Sequence, residues 1–219
     1  MLRLLPLLLF IFSCTLGPGN FQSRHASDLG VRNIKRIAIF PSEPISLQEK
    51  TKLPQSSSAP GDEKAGDKEA VSLLSGLLYS AMSVLPRWQI VSDREVRELR
   101  IMVPEGGEAD RAKTLGQLVY ADAVISGRIL RYRERVGEEW GIKSPASVAF
   151  ILELWDVRRG DLIWSARFDE TQKPLSENIF AIGEFAQRGA RWLKAEELAS
   201  EGVKKAVRQL HQTLYSGTT

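Results

Sequence analysis

The sequence predicts an α+β fold, an α/β sandwich whose mixed sheet carries an antiparallel hairpin or three-strand meander and is packed by helices. Three observations lead there. The segment SVAFILELWDV, Ser147 to Val157, sets Val148, Phe150, Leu152 and Leu154 on one face, the period of two expected of a half-buried strand. Arg158-Arg159-Gly160-Asp161 then supplies turn chemistry, and LIWSARFDETQ supplies a partner strand. Elsewhere, apolar residues recur at helical spacing in Ala70 to Leu85 and again in Ala195 to Leu214.

The remaining elements follow along the chain. IKRIAIF, Ile34 to Phe40, is a short apolar cluster stopped by Pro41 and reads as a buried strand. Residues 42–68 turn to Pro, Ser, Gly and charge and read as a long disordered loop. Val71, Leu74, Leu77, Leu78, Ala81 and Leu85 give the next helix its face, and Pro86 ends it. Trp88 to Val91 reads as a strand. Ser92 and Glu95 then have capping-box spacing for a helix to about Met102. Ala112, Leu115, Leu118 and Val119 mark another helix, and YADAVISGRILRYRERV opens the meander, which runs from Ala121 to Gln172. Beyond Pro174, Ser176 to Ala190 and Ala195 to Leu214 are helical. In the last helix Leu198, Val203, Val207, Leu210 and Leu214 favour core packing over a partner surface. No internal repeat appears, so residues 34–215 are expected to form one domain.

The chain begins MLRLLPLLLFIFSC, a basic residue, a short apolar run and a small residue before Cys14. That order is an export signal, too short for a bilayer span of about 20 residues. Residues 1–13 are therefore read as a signal peptide. Ile11-Phe12-Ser13-Cys14 resembles the lipobox of bacterial lipoproteins, although Leu is commoner at the place of Ile11 and a small residue at that of Phe12. The resemblance implies that Cys14 becomes the acylated amino terminus, with palmitate-type chains as the membrane anchor. An ordinary secretory signal is the alternative. Residues 14–33 would form the lipidated terminus and a flexible tether, since Thr15 to Asn33 shows no apolar period. In the best-known sorting rule an Asp after the cysteine retains a lipoprotein in the inner membrane. Thr15 thus points to the outer membrane, facing the periplasm.

Composition excludes several function classes. Cys14 is the sole cysteine, so no internal disulfide can staple the fold. A net charge of +3 over 219 residues, 26% of them charged, makes no case for nucleic acid. His25 and His211 stand far apart, with no ligand cluster for a metal. No nucleophile-elbow, P-loop or dinucleotide glycine pattern occurs, so neither cofactor nor catalytic residue is assigned and the chain is read as no enzyme. Glu138-Glu139 beside Trp140 is the nearest approach to a carboxylate pair, and a solvated hairpin loop explains it as well. Asp156 and Asp161 flank the Arg158-Arg159 turn and are read as fixing it. Arg131, Arg133 and Arg135 alternate around Tyr132 as a candidate basic contact strip, the alternative being a strand edge kept from sticking by charge. Trp155 and Trp164, on the two hairpin arms, are expected to pack across the strands.

IKRIAIFP, GQLVYADAVISGR and LELWDVRRGDLIWSARF resemble the first strand, a helix followed by Ala-Asp and a strand, and a Gly-turn hairpin of a group of bacterial envelope proteins. The group includes CsgG-like curli-secretion lipoproteins, LpoB-type activators of penicillin-binding proteins and the TolB amino-terminal domain. The resemblance covers most of Ile34 to Gln172 and implies a docking fold with no catalytic residues to transfer. The leading expectation is an outer-membrane-anchored adaptor or accessory factor that binds an envelope protein. The alternative is a subunit of a CsgG-like secretion or pore complex; a cell-wall enzyme ranks below both. A homo-oligomer is left open.

Overall fold

Alternating apolar residues in the second half of the chain build the centre of the sheet. In the computed structural model, which describes residues 21–41, 43–44, 63–137, 142–172 and 192–215, they form β5 (Ala123–Arg133), β8 (Ser147–Asp156) and β9 (Leu162–Thr171). These three run antiparallel in sequence order, the meander expected from the pattern. Val148, Phe150, Leu152 and Leu154 are each fully buried. Cys14, Glu138, Glu139 and the helix expected at Ser176 to Ala190 lie outside the described residues.

Parallel strands extend the sheet on one side and a short edge strand closes the other. β2 (Arg36–Ile39) lies parallel to both β5 and β4 (Gln89–Ile90), β3 (Glu43–Pro44) continues beside β5, and β1 (Phe21–His25) runs antiparallel to β9. The order is β1-β9-β8-β5-β2-β4. β6 (Val136–Gly137) and β7 (Ile142–Ser144) form a separate two-stranded sheet between β5 and β8.

Helices cover both faces. α1 (Glu63–Ser83) and α4 (Ala195–Tyr215) pack on the face carrying Ile125, Phe150 and Phe168; α2 (Asp93–Arg100) and α3 (Glu108–Leu118) pack on the opposite one over Ala38, Val124 and Val157. The face of α4 read from the sequence is core throughout, with Leu198, Val203, Val207, Leu210 and Leu214 all buried. α4 touches the sheet at Gly202, where a Cβ would meet the Phe168 ring at 2.7 Å. Phe168 is itself stacked on Phe150, with centroids 5.2 Å apart. α3 makes the same kind of approach through Gly116.

Four expectations need correction. The stretch 21–33, read as tether, belongs to the fold: it forms β1 and a 3-10 turn at Leu29–Val31, and Leu29 and Arg32 are buried. Its polar pattern misleads because β1 is an edge strand with Phe21 as its one large apolar residue. The stretch 42–68, read as one disordered loop, contains β3 at Glu43–Pro44 and the start of α1 at Glu63. The capping box is only half made. Ser92 accepts from the Glu95 amide, whereas the Glu95 carboxylate is held by Arg36 at 3.2 Å. Trp155 and Trp164 do not pair, because the β8–β9 register sets Trp164 opposite Leu154, and Trp155, the next residue along β8, projects to the other face. Trp164 is buried against α4, where its Nε1 donates to Gln209, and Trp155 lies on the α2–α3 side.

Candidate functional site: the open face of the sheet

Residues opposite one another in a β-ladder share a face, and the registers place four rows on the side away from α1 and α4. These are Ser126–Glu153–Ser165–Arg24, Arg128–Ile151–Arg167–Gln22, Arg131–Ala149–Asp169 and Arg133–Ser147–Thr171. No helix of the described residues is packed over β9 or β1 here. Within these rows Arg24, Arg128, Arg131, Arg133 and Arg167 share a surface with the carboxylates of Glu153 and Asp169, while Glu108 of α3 reaches Arg128 from its margin and Glu43 of β3 is paired with Arg128 in the ladder, so arginines outnumber acidic residues by a single charge.

Ion pairs position three of the five arginines, Arg128, Arg131 and Arg167. Arg128 bridges Glu153 at 3.3 Å and Glu108 of α3 at 3.2 Å. Arg131 crosses over small Ala149 to reach Asp169, and its Nε donates to Ser147 at 2.6 Å. Arg167 approaches Asp169 at 2.9 Å from the same strand. Burial pushes the Asp169 carboxyl up, but hydrogen bonds from Arg167 and Arg131 outweigh it and hold the group below its ordinary value. Partly exposed pairs of this kind add little to stability, about 0–1 kcal/mol each. Their effect is to hold guanidinium groups in a defined pattern.

The expected strip of Arg131, Arg133 and Arg135 is only partly one feature. Arg131 and Arg133 lie on this face, whereas β5 ends at Arg133 and Arg135 sits beyond it, half-buried, its amide donating to Glu134 at 2.9 Å. The sequence reading missed Arg24, Arg128 and Arg167. Arg128 is three residues from Arg131, which in a regular strand means opposite faces; the ladder shift between Ile129 and Arg131 brings them to the same one.

Two cavities lie near the helices. A cleft beside Arg128, lined by Phe40, Pro41, Arg111 and Ala112, has room for about 20 Å³, the space of a single water. Arg111 lies over the Phe40 ring there, 4.7 Å from its centroid. Another, of about 240 Å³, lies at Asn33, Lys35, Arg87 and Tyr215. Both fall below the 300–1,000 Å³ usual for small-molecule sites. Among the described residues there is no group of three or more His, Cys, Asp or Glu able to hold a metal, and no helix long and apolar enough to cross a membrane.

The densest cluster of charge is structural. Arg32 donates to Asp156 at 3.1 Å, to both oxygens of Asp161 at 2.7 and 2.8 Å and to Asp28 at 3.0 Å. Asp156 also accepts from the Arg158 and Arg159 amides at 2.8 and 3.1 Å, which fixes the turn as the sequence suggested. Hydrogen bonding to Arg32 is the largest influence on Asp161 and Asp28 and holds both carboxyls below their ordinary values. This knot ties the residues before β2 to the β8–β9 turn.

No family model matches the chain, and no curated protein does. Solved structures with a similar outline include the PelC dodecamer from Paraburkholderia phytofirmans, 15% identical with a TM-score of 0.43, covering 87% of this chain and 96% of that one. Lipoprotein GNA1162 from Neisseria meningitidis is 16% identical with a TM-score of 0.40, covering 71% and 93%. The LpoB C-terminal domain from Escherichia coli is 11% identical with a TM-score of 0.36, covering 63% and 83%.

Proposed function

We propose that this chain is a lipoprotein of the bacterial envelope, anchored through Cys14 in the outer membrane and facing the periplasm, that acts as an adaptor or accessory factor by binding another envelope protein. The observation that supports docking is the arginine-bearing face of β5, β8, β9 and β1, over whose β9 and β1 no helix of the described residues packs and where ion pairs hold the guanidinium groups of Arg128, Arg131 and Arg167. Such a face suits an acidic protein surface, because complementary charge steers encounter and selects the partner. Catalysis is not part of this reading: the side chains brought together on the face are arginines, hydroxyls and paired carboxylates. The kinship with CsgG-like lipoproteins, LpoB and the TolB amino-terminal domain belongs to the same proposal and rests on the sequence segments quoted above.

A photo-crosslinking residue at position 165, in the centre of the face, is expected to give a discrete crosslinked species in cells. The same residue at position 204, on the exposed side of α4, is expected to give none. Arg24→Glu combined with Arg167→Glu should reduce the crosslink by about tenfold while leaving the protein membrane-bound. A crosslink from position 204 alone, or one indifferent to the two reversals, overturns the assignment of this face.

A further inference from the structure

We infer that the free edge of β1 pairs with β1 of a second copy of this chain, antiparallel about a two-fold axis at Ser23, so that the two sheets run on as one. This stands apart from lipid at Cys14 and from the partner of the arginine face. The two edges of the sheet differ. β4 is an edge of two residues, Gln89–Ile90, which gives a further strand little to pair with. β1 runs for five residues, Phe21–His25, in unbroken register with β9, and carries no proline, lysine or bulge to blunt it. Among the described residues β1 has no strand on its other side.

Hydrogen-bond parity identifies the groups that β1 leaves for a partner. The Ala26 amide donates to the Ile163 carbonyl at 2.9 Å, one step beyond the His25–Trp164 pair. Bonded and non-bonded pairs alternate along an antiparallel ladder, so Gln22 and Arg24 also bond to β9. The far side of β9 agrees. Just past its end the Gln172 amide donates to the Ala146 carbonyl at 3.2 Å, which turns even positions toward β8 and odd ones, Arg167 and Ser165, toward β1. Phe21, Ser23 and His25 therefore point both amide and carbonyl to the open side.

A second copy can meet this edge only where outward residues face outward residues. With the axis at Ser23, the two Ser23 residues oppose each other and Phe21 of each copy opposes His25 of the other, so every outward amide and carbonyl of β1 is bonded. An axis at Gln22 or Arg24 leaves one outward residue of each copy without a partner, and the second of these also sets Arg24 against Arg24, a like-charge pair. In the Ser23 register Arg24 faces Gln22, Phe21 and His25 form aromatic pairs, and a small side chain lies on the axis. That axis is perpendicular to the sheet, so both arginine faces come to the same side. A five-residue edge is a small interface, and association is expected to depend on concentration.

The test uses the full chain with Cys14→Ser, in which an introduced cysteine is the only thiol. Under mild oxidation Ser23→Cys is expected to give a disulfide-linked dimer, since a bonded antiparallel pair holds its Cα atoms about 5.5 Å apart, within disulfide reach. His25→Cys lies on the same edge but about 13 Å along the strand from its own copy, so alone it should give none. Mixed with Phe21→Cys, it should crosslink. Ser23→Pro added to both of these chains removes an outward amide but no bond to β9, and should cut the mixed crosslink about tenfold. Absence of a dimer from Ser23→Cys, the result expected if another segment of the chain covers β1, overturns the inference. Equal crosslinking at 23 and 25, or a mixed crosslink indifferent to Ser23→Pro, overturns it as well.

Discussion

Arg32→Ala is expected to be destabilised by about 3–5 kcal/mol, the usual cost of removing one partner from a buried ion pair. For a domain of this size that lowers the melting temperature by on the order of 10 °C. The cause is the company Arg32 keeps. Its side chain is 6% exposed and that of Asp156 is 2% exposed, so the substitution strands a carboxylate that water cannot reach. The acid dependence of stability gives a second readout. Asp161 and Asp28 have folded-state pKa values depressed, chiefly by Arg32, so they contribute stability above the unfolded value of about 3.9 and lose it as pH falls through the folded values. The native chain should therefore lose stability on acidification below about pH 4, and Arg32→Ala should lose less over the same window. A thermal or urea melt of both chains at pH 7 and pH 3 checks both statements.

Gly116→Ala is expected to destabilise by about 1–3 kcal/mol, although alanine is the better helix former by about 1 kcal/mol. A Cβ at this position would stand 2.1 Å from one methyl of Val157, 3.0 Å from the other and 3.1 Å from a methyl of Val124. Val157 cannot simply retreat, because its amide donates to the Asp122 carbonyl at 3.0 Å. Adding Val157→Ala removes the obstructing methyls. The double variant should consequently be more stable than the sum of the two single losses, the coupling expected of residues in contact. Strict additivity in urea melts would mean that α3 shifts freely and that its contact with the sheet is loose.

How far the sequence could be read depended on whether each contact leaves a local pattern. The β8–β9 hairpin and α4 were legible because each buries one side against the core, and a periodic apolar face results. β1 was not, since an edge strand covered on one side needs little apolar content, and Phe21 alone carries no period. The first turns of α1 were missed for a related reason: Glu63, Lys64, Asp67 and Lys68 have the composition of a loop.

The arginine face was half legible. Arg131 and Arg133 alternate visibly, but Arg135 falls beyond the strand, and Arg128 joins them only through a ladder irregularity. Arg24 and Arg167 come to the same surface through pairing of residues about 140 positions apart, on strands whose order no single segment reveals. The Arg32 knot is equally non-local, linking positions separated by 124 and 129 residues. Asp156 and Asp161 could be seen to brace the turn; the cation at their centre lay in a stretch that looked like tether.

The finding that 21–33 is folded changes the mechanical meaning of Cys14. If Cys14 carries the proposed lipid, six residues, Thr15 to Asn20, and not the whole expected tether of Thr15 to Asn33, lie between the anchor and β1. Under the proposed function, the anchor would restrict where the arginine face can meet a partner.

The most direct test of the account is the mass of the amino-terminal peptide of the mature protein taken from bacterial membranes. The account predicts a chain beginning at Cys14 and carrying a thioether-linked diacylglyceryl group and an amide-linked acyl chain, with Cys14→Ser leaving the protein unacylated and released from the membrane. A mature chain that begins elsewhere, or retains Cys14 with a free thiol, would contradict it.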